Sequence, residues 1–112
     1  NSNVLIMGLA FKENCPDYRN TRVIDLIKKF ESLNCNVDVY DPRVDKNQAN
    51  HEYNIQLIDK PLKGSYDAIV IAVAHDEFKA LTEDQFRSLG KANHVLYDIK
   101  YLLRIGESDG RL

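Results

Sequence analysis

Several things are scarce in this sequence, and each scarcity excludes a class of protein. The longest apolar run, Ala68 to Ala74, is seven residues, against the roughly 20 that a membrane-crossing helix needs. A transmembrane helix is therefore excluded. The first residues carry no basic start followed by an apolar stretch and a small-residue cleavage site, the pattern of a signal peptide. There are two cysteines, Cys15 and Cys35. Two are too few for a disulfide framework, and no C-x-x-C or Cys/His cluster suggests zinc. A reduced, cytoplasmic setting fits best. Charge of one sign is also scarce. Fifteen basic and seventeen acidic residues give a formal charge of −2, and the signs are interspersed. A nucleic-acid binder carries a basic stripe and a high pI, and neither is present. A site for one small anion stays open. There is no initiator methionine, although a strand is expected from Val4, which suggests a chain cut from something larger.

What is present fits one globular domain over residues 1–112. The hydrophobic fraction is 44 %, high for a disordered chain, and the length suffices for a single core. Apolar segments alternate between strand and helix character, the mark of βαβ units and a parallel sheet. Val4 to Met7 is continuously apolar, as a strand buried on both faces would be. Val23, Leu26, Ile27, Phe30 and Leu33 recur at spacings of three and four, which predicts a helix over 19–33. Asn34 supplies its stop, since asparagine tolerates a left-handed conformation. Val37 to Tyr40 alternates as a second strand, closed by Asp41-Pro42. Residues 43–64 carry weaker signals: a helical turn within 44–50, a short edge strand over 53–57, and a loop punctuated by Pro61 and Gly64. Ala68 to Val73 is the strongest strand. Thr82-Glu83-Asp84-Gln85 matches a capping box, with Leu81 and Phe86 placed for the hydrophobic staple. The helix it opens is expected over 83–89, with Gly90 as its C-terminal glycine. His94 to Tyr97 is the last core strand, and the rest is a tail containing Leu102 and Leu103.

The expected fold is therefore α/β, a three-layer Rossmann-like domain with a mostly parallel sheet and helices on both faces. Ligands of such sheets bind beyond the carboxyl ends of the strands, where strand order reverses. The strand ends here are Gly8 to Lys12, Asp41, Ala74 to Asp76, and Asp98 to Lys100.

A dinucleotide site would need G-x-G-x-x-G after the first strand, so that backbone can approach a pyrophosphate. The turn reads Gly8-Leu9-Ala10-Phe11-Lys12, with one glycine. Asp41 stands where a ribose-binding acid would, but also where a turn residue before proline would. A phosphate site built on a cation is the second possibility. Lys12 follows the first strand in a long polar loop, and an ammonium is a point charge suited to phosphate. Arg19 and Arg22 near a helix start oppose the dipole's preference for acids, which suggests a partner such as Asp17 or a bound anion. Cys15 could be a nucleophile beside Lys12, but no spacing brings His51, His75 or His94 to it. His75, after the third strand, could serve a ligand or a loop carbonyl. Lys100 could add a cation at the same edge. A phospho-receiver would want an acidic pair after the first strand, where this chain has Gly8-Leu9.

The segment Gly8-Leu9-Ala10-Phe11-Lys12-Glu13-Asn14-Cys15-Pro16-Asp17-Tyr18-Arg19-Asn20-Thr21 resembles the loop that opens the C-terminal domain of the UDP-glucose/GDP-mannose dehydrogenase family. The pattern there is roughly G-x-x-F-K-x-x-x-x-D-x-R-x-[ST]. Val37 to Pro42, Tyr66 to Ala68 with Ala74 to Phe78, and Tyr97 to Lys100 agree in order and spacing. The wording from Lys12 to Thr21 is most similar to the branch that oxidises UDP-N-acetylhexosamines for surface polysaccharides.

The resemblance implies a division of labour. An N-terminal Rossmann domain, absent from this chain, binds NAD. A helical middle region holds the dimer together, so the full-length enzyme is expected to be a homo-oligomer. A cysteine in a glycine-rich motif oxidises the sugar C6 alcohol to a carboxylate in two hydride transfers. The C-terminal domain binds the UDP part of the substrate. That glycine-rich motif is missing here, so the resemblance implies that Cys15 is not the nucleophile and that this chain alone is inactive. It implies that Phe11, Lys12 and Lys100 contact the UDP-sugar, and that Asp17 and Arg19 shape the loop; His75 stays a further candidate for shaping the loop or standing behind the ligand. The alternative from another class is a stand-alone α/β nucleotide-binding or regulatory interaction module.

Overall fold

A computed structural model describes residues 2–9, 21–42, 44–47, 50, 55–73, 75–99 and 109–111. Five strands form one sheet: β1 (Asn3–Met7), β2 (Asn36–Tyr40), β3 (Tyr66–Ile71), β4 (Gly90–Asp98) and β5 (Gly110–Arg111). Their order is β2-β1-β3-β4-β5, and every pairing is parallel. The helices are α1 (Thr21–Ser32), α2 (Asp76–Lys79) and α3 (Glu83–Arg87).

The sheet separates two cores, because successive residues of a strand point to opposite faces. Val4 and Ile6 of β1 join Val39, Val70 and the buried stripe Val23, Ile24 and Ile27 of α1. Leu5 and Met7 join Ile69, Ile71 and Leu96, with Phe78 of α2 and Phe86 of α3. This is the expected three-layer arrangement, and it explains the continuous apolarity of β1: both of its faces are covered.

The helix stops follow local chemistry. Asn34 adopts φ 64°. The Asn34 N–H donates to the Glu31 carbonyl and the Cys35 N–H to the Phe30 carbonyl, the bonding of a Schellman ending. Leu33 sits outside the helix and is exposed, so the apolar stripe is one residue shorter than its periodicity suggested. At α3 the capping box is complete: Thr82 Oγ1 accepts from the Gln85 N–H, and Gln85 Oε1 accepts from the Thr82 N–H.

Three expectations need correction. Gly90 does not end α3. Ser88 caps it in a right-handed conformation, and Gly90 opens β4, where a Cβ would lie 2.4 Å from the His94 ring. The last core strand therefore starts earlier than His94. It carries a wide irregularity: Tyr66 pairs with Gly90 and Ala68 with Val95, so two steps along β3 are matched by five along β4. No edge strand covers the described part of 53–57. Leu57 makes a single bridge to Val39, followed by the Ile58 N–H donating to the Val39 carbonyl.

The tail adds a strand that periodicity did not reveal. The Asp109 N–H donates to the Leu96 carbonyl, and its carboxylate accepts from the Leu96 N–H. Both terminal nitrogens of Arg87 donate to the two Asp109 oxygens at 3.1 Å. That bidentate pair fastens β5 to the sheet.

Candidate functional site

The chain order reverses between β1 and β3: β2 lies on one side of β1, and β3 and β4 on the other. A crevice for ligands opens beyond the carboxyl ends of two such strands. In this sheet that position lies past Met7 and Ile71.

The segments past these two residues come unusually close. Gly8 has φ +108°, and a Cβ built on it would lie 2.6 Å from the Val73 Cβ and 2.9 Å from the Val73 backbone nitrogen. Only glycine meets both conditions. Three backbone bonds extend the ladder past the strands: Gly8 N–H to the Tyr40 carbonyl, Ala72 N–H to the Met7 carbonyl, and Ile99 N–H to the Ile71 carbonyl.

Beneath the turn lies a buried polar cluster. Asp41, just past β2, has a carboxylate oxygen, Oδ2, that accepts from the Leu9 N–H at 2.7 Å and meets His75 Nε2 at 3.0 Å. With Asp41 ionised, Nε2 carries the proton and donates. Both side chains are shielded from solvent, as is the Leu9 side chain. The His75 ring packs against Phe78 with centroids 5.5 Å apart. Tyr40 also meets Phe78, with ring centroids 6.1 Å apart. Burial pushes the Tyr40 phenol above its ordinary pKa, and the carboxylates of Glu77 and Asp41 add to the effect. Asp98 closes β4 fully buried.

Of the residues expected at the site, His75 is described and sits beneath the switch point. Phe11, Lys12, Asp17, Arg19 and Lys100 lie outside the described residues, as do Cys15 and His51. His94 lies far from this cluster in chain position, beside Gly90 and with Nδ1 on the Lys91 carbonyl. Cys35 is a free thiol packed at the edge of the α1 core. Among the described residues no group of His, Cys, Asp or Glu is arranged to hold a metal ion, and no helix is long and apolar enough to cross a membrane.

The match that decides the relationship runs over residues 5–105, from β1 to beyond β4. Its model is described as the UDP-glucose/GDP-mannose dehydrogenase family, UDP binding domain. The chain belongs to this family. It is 54 % identical over 109 residues to a UDP-N-acetyl-D-glucosamine 6-dehydrogenase of Pseudomonas aeruginosa, covering 97 % of this chain and 26 % of that protein. It is 48 % identical over 111 residues to a protein of the same name from Salmonella typhi, covering 99 % and 26 %. Among solved structures, an NDP-N-acetyl-D-galactosaminuronic acid dehydrogenase from Methanosarcina mazei Go1 superposes with a TM-score of 0.79 at 26 % identity, over 98 % of this chain and 24 % of that one. The chain thus spans about a quarter of the length of the curated relatives it matches.

Among the described residues, those at the switch point do not fit NAD. A dinucleotide site needs free N–H groups for pyrophosphate and an acid presented to ribose. Here the Leu9 N–H is taken by Asp41, and the Asp41 carboxylate is turned inward to Leu9 and His75. A concavity of about 590 Å³ runs along α1 and β2, lined by Ile24, Ile27, Val39 and Ile55, with Lys28 and Glu31 among its polar residues. It lies on the flank of the sheet, and the opposing charges of Lys28 and Glu31 suit a diphosphate poorly.

Sequence reasoning treated Asp41 as a ribose acid or a turn residue and missed its bond to His75. The two are 34 residues apart, and no local spacing links them. The available signal was topological: in the order β2-β1-β3 both flank the end of β1.

Proposed function

We propose that this chain is a single domain, the C-terminal UDP-sugar-binding part of a larger NAD-dependent nucleotide-sugar 6-dehydrogenase. The observation that carries the reading is the match of residues 5–105 to the family's UDP binding domain, laid on a sheet whose switch point is built around Gly8 and Leu9. Phe11 and Lys12 follow that turn directly and contact the nucleotide sugar, Lys12 neutralising diphosphate. Lys100, two residues past β4, adds a second cation. Asp17 and Arg19 shape the loop between.

The relatives named for UDP-N-acetyl-D-glucosamine support a UDP-N-acetylhexosamine as substrate. Its C6 alcohol would be oxidised to a carboxylate, with two hydrides passing to NAD held by another domain. This chain contributes recognition of the UDP end, which fixes where the sugar lies. The whole enzyme is a homo-oligomer working in the cytoplasm, a compartment that suits the free thiol of Cys35.

The test is an NMR titration of the chain with UDP and separately with NAD, repeated on Lys12→Ala. UDP is expected to shift the amides of Gly8, Leu9 and Ile99. Loss of one charge-assisted contact, about 1.5–3 kcal/mol, weakens binding roughly 10- to 100-fold. Shifts with NAD and none with UDP would overturn the reading.

A further inference from the structure

We infer that Asp41 and His75 are positioning residues for the UDP-binding loop, a role that rests on the reading above. The geometry is a three-way tie. One oxygen, Asp41 Oδ2, accepts from the Leu9 N–H after β1 and from His75 Nε2 after β3. Asp41 itself follows β2. The ends of the three strands around the switch point are thereby joined through a single buried atom.

Leu9 is where this matters. Its side chain is fully buried and its N–H lies past the last ladder bond of β1, which is made by Gly8. Without Asp41 that N–H would be a buried donor with no strand neighbour to satisfy it. With Asp41 the direction of the backbone at Leu9 is fixed by its side chain and its N–H together. The segment proposed above to meet the diphosphate begins beyond Leu9 in the sequence, so the chain enters it from the direction fixed there. Displacements of about 1 Å in a positioning element cost up to 100-fold in function.

A purely structural account fits this pair poorly. A buried polar pair is not the cheapest way to fill a core, and apolar residues of similar volume are often as stable or more so. What an apolar pair could not do is accept the Leu9 N–H. The His75 ring is in turn steadied by Phe78 and by its place before α2, where its carbonyl accepts from the Phe78 and Lys79 N–H groups. His75 therefore holds Asp41, and Asp41 holds Leu9.

The experiment measures UDP affinity of the full chain by NMR titration, well below the unfolding temperature, alongside thermal stability. The variants are Asp41→Asn, His75→Leu, His75→Gln and Tyr66→Phe. Asparagine keeps an oxygen that can meet both donors but loses the negative charge that strengthens both bonds, and leucine removes the His75 donor. Each is expected to weaken UDP binding at least tenfold and to move the Leu9 amide resonance. Glutamine places an amide N–H near the position of Nε2 and is expected to restore affinity to within threefold of wild type. Tyr66→Phe loosens the start of β3, away from the site, and is expected to lower stability without changing affinity. Folded Asp41→Asn or His75→Leu protein that binds UDP within twofold of wild type would overturn the inference. So would affinity falling equally in Tyr66→Phe, because binding would then merely follow stability. If Asp41→Asn fails to fold, the contrast between leucine and glutamine at position 75 decides alone. Wild-type protein that does not bind UDP would overturn the site reading, and this inference with it.

Discussion

Replacing Gly8 by alanine tests the switch point at its tightest place. Two costs add. A non-glycine residue held at φ +108° is strained by about 1–3 kcal/mol. The new Cβ would also stand 2.6 Å from the Val73 Cβ, 2.8 Å from its Cγ2 and 2.9 Å from its backbone nitrogen. Two of these atoms cannot rotate away, and overpacking of this kind costs a further 1–3 kcal/mol or so. The expected loss is therefore about 2–6 kcal/mol, against a typical domain stability of about 5–15 kcal/mol. With a urea slope near 1.5 kcal/mol/M, the midpoint of unfolding falls by about 1.3–4 M. Gly64→Ala is the control. Gly64 also has positive φ, but nothing lies within 4 Å of its built Cβ, so it bears only the backbone cost of about 1–2 kcal/mol. Adding Val73→Ala to Gly8→Ala removes the Cγ2 contact but leaves the Cβ and the nitrogen, so rescue should be partial. The assay is equilibrium urea unfolding followed by circular dichroism. A Gly8→Ala loss below about 1 kcal/mol, or no larger than that of Gly64→Ala, would refute the reasoning.

Two further perturbations probe the rest of the sheet. The Tyr66 hydroxyl donates to Asp38 Oδ2 at 2.8 Å, and Tyr66→Phe should cost about 1–2 kcal/mol by leaving that carboxylate short of a donor. Burial first, then the bond to Asp38, pushes the Tyr66 phenol up to about 12. A raised folded value means stability that is full below the unfolded value near 10 and lost as pH climbs toward about 12. Urea midpoints measured from pH 9 to 12 should fall more steeply in wild type than in Tyr66→Phe, and parallel curves would contradict the assignment. At the other edge, hydrogen bonds from Arg87 hold the Asp109 carboxyl below its usual range. Its stabilisation is therefore present above about pH 4 and lost as pH falls further. Arg87→Ala should release β5 at neutral pH for about 1 kcal/mol, seen as faster hydrogen exchange at Asp109 and Leu96, and unchanged exchange would sink that account.

The parts of the fold written in local chemistry were legible in the sequence. Val23 and Ile27 of the expected stripe, the stop at Asn34 and the Thr82–Gln85 box each depend on neighbours within about one helical turn, whereas buried Ile24 lay outside the expected spacing. β1 and β3 declared themselves by apolarity because both faces of the sheet are covered. What escaped was non-local. β5 is held by Arg87, 22 residues from Asp109, and two residues of strand have no period to detect. Gly90 looked like a helix ending because glycine serves there so often, whereas its real constraint is the His94 ring. At the candidate site the glycine and the strand ends were readable, because the topology rule names them in advance. The bond between Asp41 and His75 was not, since it exists only once β2 and β3 stand on either side of β1.

The irregular first half of β4 has a consequence for how this domain behaves in a crowded solution. β5 covers only Tyr97 and Asp98, and among the described residues Lys91 to His94 have no strand on their outer side. A flat, apolar outer strand of that length would be a template onto which a second chain could add itself. Instead the backbone there swings out of register. Lys91 places a charge on the edge and pairs with Asp67 at 3.2 Å. Straightening this stretch would give β4 a more regular ladder and, with Val95 half exposed beside it, would turn this edge into a seed for fibrous association.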